Sequence, residues 1–213
     1  MPYIVPASKT LRLKIVYYGP GLSGKTTNLV QLYEGIPADV RGKLIQLDTE
    51  TERTLFFDYF PLNLGRLGSY RIKIDFFTVP GQSFYNATRR TVLEGVDGLV
   101  FVADSAPRRE HANTVALRNL KSNLETLGTD FDQIPLVFQW NKRDAPGALP
   151  VELLERVLNP DGRPSVNAVA LRGEGVRETQ NLIVKSVLQR IRFLSQRGPG
   201  RNARKAGPKT AAS

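Results

Sequence analysis

The sequence predicts an α/β protein with six strands in a mainly parallel sheet, one antiparallel edge pair, and helices on both faces. Three observations predict it. Near-continuous apolar runs such as Gly98-Leu99-Val100-Phe101-Val102-Ala103 suit strands covered on both faces, as parallel sheets require. Segments of helical character fall between most of these runs, the alternation that builds such a sheet. Finally, Gly19-Pro20-Gly21-Leu22-Ser23-Gly24-Lys25-Thr26 fits G-x-x-x-x-G-K-[ST], the phosphate-binding glycine loop that joins a strand to a helix.

Taken in order, Leu11 to Tyr18 alternates apolar with basic residues and then turns apolar, a strand entering a core. Thr26 to Tyr33 lacks Gly and Pro and reads as a helix. Lys43 to Leu47 and Tyr70 to Val79 read as strands with no helix between them, so they form the expected antiparallel edge. Beyond them, helices at Tyr85 to Leu93, Arg109 to Leu127, Val151 to Leu158 and Arg177 to Gln196 alternate with strands at Gly98 to Asp104, Leu136 to Asn141 and Val166 to Ala170. A ligand of such a sheet lies at the carboxyl ends of its strands.

The glycine loop explains its own residue types. Glycines let backbone N–H groups approach a polyphosphate without Cβ clashes, and the helix start adds its positive dipole end. Lys25 is placed to reach the β- and γ-phosphates and the Thr26 hydroxyl to coordinate Mg²⁺. A plain glycine-rich turn with a solvated lysine is the bland alternative.

Composition bounds the rest. With 41% hydrophobic and 23% charged residues, 213 residues suffice for one well-cored domain, read as residues 1–195. There is no cysteine, hence no disulfide and no prenyl or palmitoyl anchor, and Pro2 excludes myristoylation. No apolar run approaches a bilayer span, and the first ten residues do not resemble a cleavable signal, so a cytoplasmic protein is expected. The net charge of +10 is unevenly placed: residues 196–213 carry Arg197, Arg201, Arg204, Lys205 and Lys209 with no acid. That stretch is expected to be a disordered tail, either a solubilising extension or a weak electrostatic contact with an anionic membrane or polymer. Nothing supports sequence-specific nucleic-acid readout.

Three further stretches fall where a guanine-nucleotide site needs them. Asn141-Lys142-Arg143-Asp144 follows a strand and fits N-K-x-D, in which the carboxylate accepts hydrogen bonds from the guanine N1–H and exocyclic amine, a donor pair adenine lacks. After the last strand, Val169-Ala170-Leu171 is where a backbone amide would meet the guanine carbonyl. Thr78-Val79-Pro80-Gly81-Gln82 is close to D-x-x-G-Q, with Gly81 offering its amide to the γ-phosphate and Gln82 orienting water. Thr78 stands where small GTPases place a carboxylate, which puts magnesium retention in question.

With these residues in view, the chain resembles the MglA family, bacterial Ras-like small GTPases associated with cell polarity and gliding motility. The likeness covers about Leu11 to Leu194, and rests on Val16 to Asn28 with Thr27 included, Thr51-Glu52-Arg53-Thr54-Leu55-Phe56-Phe57-Asp58, Thr78 to Gln82, and Gly95-Val96-Asp97-Gly98. Thr78 itself is a family trait. The resemblance implies that Arg53 is an arginine finger supplied by the chain itself, that Thr54 senses Mg²⁺ and γ-phosphate, and that an MglB-like Roadblock-fold protein is partner and activator. From the residues alone, Arg53 reads equally well as a surface salt bridge.

Phe56, Phe57, Tyr59 and Phe60 are too dense for a free loop and suit either the core or a partner surface. His111 is the only histidine and is expected at the surface; Trp140 is expected to pack within a strand. Two functions follow: a GTP-hydrolysing switch using Lys25, Thr26, Thr54, Gln82 and Arg53, or a nucleotide-binding scaffold with little hydrolysis, for which Thr78 speaks.

Overall fold

The computed structural model describes residues 3–5, 8–46, 57–81 and 85–197. Its sheet has eight strands: β1 (Tyr3–Val5), β2 (Thr10–Tyr18), β3 (Ile45–Gln46), β4 (Asp58–Leu67), β5 (Tyr70–Thr78), β6 (Gly98–Asp104), β7 (Leu136–Asn141) and β8 (Ser165–Asn167). They lie in the order β3-β4-β5-β2-β6-β7-β8, with β1 antiparallel beside the start of β2. The pairs from β5 through β2, β6 and β7 to β8 are parallel. The helices are α1 (Lys25–Glu34), α2 (Asn86–Leu93), α3 (Glu110–Thr126), α4 (Val151–Leu158) and α5 (Val176–Arg197).

The expected α/β architecture stands, with three corrections. Among the described residues the sheet has eight strands, not six, and the antiparallel partner of Tyr70–Thr78 is Asp58–Leu67, not Lys43–Leu47. Among the described residues of the latter segment, Ile45 and Gln46 form a strand and pair with β4 at the sheet edge. Pro61 and Gly65 hide β4 from pattern reading, because both are depleted in strands and the register slips between Asn63 and Gly65. The last strand is also shorter than Val166 to Ala170, since Ala170 opens a 3₁₀ turn.

Two apolar layers hold the sheet. Leu13, Ile15, Phe60, Ile74 and Val100 pack with Leu29 of α1 and Ile183 of α5 on one face. Val16, Phe101, Phe138 and Trp140 meet Leu120 of α3 and Leu154 of α4 on the other. Every residue of β6 is buried, as its unbroken apolar run requires, and each large side chain contributes roughly 1.5–3 kcal/mol through burial. Gly98 lets α5 close on the sheet: a Cβ there would lie 2.4 Å from Val187 Cγ2. Phe60 belongs to the core, whereas Phe57 and Tyr59 pack at a tilt against Phe77 and stay partly exposed. Phe56 lies outside the described residues. His111 is exposed, and Trp140 is buried with its indole N–H donated to Glu155 Oε1 at 2.9 Å.

Candidate nucleotide site

The loop from Gly19 to Gly24 joins β2 to α1 at the carboxyl end of the sheet. Gly19 adopts φ 145°, and a Cβ on it would meet the Val102 carbonyl oxygen at 2.2 Å. Gly24, at φ 98°, caps α1 without a side-chain hydrogen bond, so the first-turn amides remain open to an anion. Leu22 sits at φ 63° and is 85% exposed on the rim. Ser23 is fully buried, its hydroxyl unpartnered.

Lys25 is buried and donates through Nζ to the Gly19 and Pro20 carbonyls at 3.1 and 2.7 Å. Burial, reinforced by the nearby Arg89 guanidinium and opposed by Asp58, pushes its ammonium down to about 7. An anion in the loop would favour the charged form. Gly21, Thr26 and Thr27 line a cleft of about 710 Å³ together with Asp58, Thr78 and Gly81.

A carboxylate that the motifs did not flag stands beside Thr26 at the mouth of the loop. Asp58 starts β4 directly across from Thr78 at the end of β5, and its carboxylate accepts hydrogen bonds from Thr26 Oγ1 at 2.7 Å and Thr78 Oγ1 at 2.8 Å. The Asp58 amide donates back to Thr78 Oγ1 at 2.9 Å. A carboxylate therefore stands beside the Thr26 hydroxyl although position 78 lacks one. Oxygen donors of this kind, with no cluster of three or more acidic, His or Cys ligands among the described residues, suit Mg²⁺, which keeps waters and phosphate oxygens in its shell.

Two arginines also escaped sequence reading. Arg89 of α2 is buried and donates Nε to the Pro80 carbonyl at 2.9 Å and an Nη to the Gly81 carbonyl at 2.8 Å. Its other Nη donates to Asn119 Oδ1 at 2.7 Å. Arg109 donates to the Gly21 carbonyl. Gly81 lies so close to the loop that a Cβ on it would fall 2.3 Å from Gly21 Cα. No motif distinguishes these arginines from surface ones.

At the other end of the cleft, Asn141 is buried and works as a brace. Its Nδ2 donates to the Ser23 carbonyl at 2.7 Å, and its Oδ1 accepts the Ala170 amide at 2.9 Å. The Ala170 N–H, expected at the base, is thus turned onto Asn141, while Leu171 is 78% exposed. Lys142, at φ 63°, pairs with Asp104 at 2.7 Å, and Asp144 is exposed beyond it. Arg53, Thr54 and Gln82 lie outside the described residues.

Fold and cleft together define the class: a P-loop protein of the Ras-like small GTPase type, its glycine loop and N-K-x-D segment at the same edge of the sheet. No protein-family model matches the chain. It is 48% identical over 192 residues to Mutual gliding-motility protein MglA of Myxococcus xanthus (strain DK1622), a match covering 90% of this chain and 98% of that protein. The chain belongs to the MglA family. It is also 29% identical over 193 residues to human ADP-ribosylation factor-like protein 4C, and 26% to ADP-ribosylation factor-like protein 2 of Arabidopsis thaliana, covering 87% of this chain and 92% or 93% of theirs.

Proposed function

We propose that this small GTPase is a Mg²⁺-dependent switch that binds and hydrolyses GTP and controls cell polarity or motility through nucleotide-dependent partner binding. The observation that carries the reading is the Asp58 carboxylate held by Thr26 and Thr78 at the mouth of the glycine loop. It supplies the negative charge whose loss at position 78 favoured a non-hydrolysing scaffold.

Lys25 and the loop amides neutralise phosphate charge, and Asp144 reads guanine. Thr26, with Thr54, would hold Mg²⁺, and the Asp58 carboxylate would add negative charge beside it; the ion would supply further charge neutralisation at the terminal phosphates. Arg89 fixes the Pro80 and Gly81 carbonyls, which sets the direction of the Gly81 amide. Gln82 orients the attacking water and Arg53 stabilises the transition state. An arginine already in the chain needs placement, so an MglB-like Roadblock-fold activator acts by repositioning residues 48–61 and donates no side chain of its own. The protein works in the cytoplasm; among the described residues no helix is long and apolar enough to cross a membrane.

Single-turnover hydrolysis with and without a Roadblock-type partner tests this. Basal turnover is expected to be slow and partner-stimulated. Arg53→Ala and Gln82→Leu should lower stimulated hydrolysis by at least about 10³-fold while leaving GTP affinity near wild type. Unchanged hydrolysis in Arg53→Ala would remove the intrinsic finger.

A further inference from the structure

The end of the molecule opposite the cleft carries a cluster of exposed basic residues on β4 and β5. β2 and β5 run parallel and deliver Tyr18 and Thr78 to the cleft, so Thr10–Arg12 and Tyr70–Lys73 lie at the far end. There Arg66 of β4 faces Arg71 of β5 directly across the ladder. Lys73, two residues on, shares their face and stands beside Arg12, whose guanidinium is held by Asp75. Lys9 joins them, its carbonyl accepting the Arg71 amide at 2.8 Å. Arg66, Arg71, Lys73 and Lys9 are exposed, and none has an ion pair among the described residues. Like charges directly opposite in a ladder cost stability, a cost that an external anion relieves.

The last turns of α5 reach the same end from the opposite face of the sheet. Ile183 and Val187 meet Gly98 at the start of β6, and Arg190, Ile191 and Leu194 then border Val96 and Asp97. Phe193 and Leu194 are 51% and 52% exposed. From Arg197 the sequence continues with Arg201, Arg204, Lys205 and Lys209 and no acid.

We propose that this far end docks end-on on an anionic bilayer surface, with the basic residues of β4 and β5 on one face of the sheet and the last turns of α5 on the other. Charge complementarity supplies the attraction, and Phe193 and Leu194 have a place at the boundary between headgroups and acyl chains that a nucleic-acid backbone does not offer. One weak signal holds a protein to a membrane only marginally, whereas a basic patch with apolar contacts and a basic continuation of the chain makes several. Docked this way, the nucleotide cleft faces away from the membrane and stays open to partners.

The test is co-sedimentation of the full GDP-loaded chain with vesicles of phosphatidylcholine alone or mixed with phosphatidylserine, and its retention by duplex DNA, at low and physiological salt. Binding is expected only to the anionic vesicles, falling with salt. Arg66→Glu/Arg71→Glu/Lys73→Glu should lower vesicle affinity on the order of a hundredfold, with GTP turnover unchanged as evidence of an intact fold. If that variant fails to fold, Arg66→Gln/Arg71→Gln/Lys73→Gln takes its place, with a loss of at least about tenfold expected. Phe193→Ala/Leu194→Ala should weaken vesicle binding as well. Vesicle binding that survives the strand variants and disappears only when Arg201, Arg204, Lys205 and Lys209 become Gln would overturn the proposal. So would retention by DNA as tight as by vesicles.

Discussion

At the mouth of the glycine loop one carboxylate accepts hydrogen bonds from two threonine hydroxyls, Thr26 at 2.7 Å and Thr78 at 2.8 Å. Asp58→Asn keeps the shape but removes the charge, so the Mg²⁺ concentration for half-maximal GTP hydrolysis should rise at least about tenfold, a loss on the scale of one charge-assisted interaction. Thr78→Asp alone sets two carboxylates opposite each other across β4 and β5, which should cost about 1 kcal/mol of stability by thermal melting. The double variant Asp58→Asn/Thr78→Asp returns the carboxylate to the D-x-x-G position and should recover most of the Mg²⁺ response. A double variant no better than Asp58→Asn would show that the carboxylate must come from β4. Asp144 is exposed in the structure, so under the proposed guanine reading its discrimination rests on the base that would cover it. Asp144→Asn should exchange guanine preference for xanthine in calorimetric titrations, while equal ATP and GTP affinity in the unaltered chain would remove the N-K-x-D assignment.

The element that decides the phosphate end is the β4–β5 pair with α2 behind it, and it is also where the sequence was least legible. The helices were readable because Gly and Pro punctuate their ends and apolar residues recur around them; α4 is found over Val151–Leu158 as expected. β6 and β7 were readable from apolar runs that only doubly covered strands carry. β4 was not, since Pro61 and Gly65 break its alternation and its pairing is fixed by a partner strand. Nothing in the local sequence marks Asp58, because its position depends on Thr78, twenty positions away in sequence and adjacent only across the ladder. Arg89 was equally opaque: one more arginine on a helix until the fold brings it to two consecutive carbonyls. Arg89→Ala strips those carbonyls of their donors and should lower stability by about 2–4 kcal/mol. The reading that marks positioning is the ratio of GTP to GDP affinity. It should fall at least about fivefold, since only GTP presents a phosphate to Gly81. Arg89→Lys, which retains charge without the fork, should recover stability more than the ratio. Equal weakening of both nucleotides would reduce Arg89 to a structural residue.

Across the whole molecule the nucleotide cleft has two halves, phosphate loop and base loop, built from distant parts of the chain and joined by buried polar contacts. Asn141 makes one link, between Ser23 and Ala170. Gln139, fully buried on β7, makes a second: its Nε2 donates to Asn28 Oδ1 at 2.8 Å and to Thr179 Oγ1 at 2.9 Å. Asn28 in turn donates to the Gly24 carbonyl at the start of α1, and Thr179 to the Gly175 carbonyl before α5. Gly175 packs so tightly on the base loop that a Cβ there would lie 2.3 Å from the Asn167 carbonyl oxygen. The link therefore fixes the distance between the halves without touching either end of a nucleotide. Gln139→Leu removes its donor but also removes Gln139 Oε1, a buried acceptor without a partner, so the stability cost should stay near 1–2 kcal/mol. Its effect on nucleotide should be uniform: GDP and GTP should both dissociate several-fold faster, with single-turnover hydrolysis at saturating GTP unchanged, because spacing between the halves matters equally in ground and transition states. Stopped-flow release of both nucleotides, set beside the single-turnover rate, decides it. A selective loss of GTP, or a slower chemical step with intact affinity, would place Gln139 in the switching machinery and not in the frame that carries it.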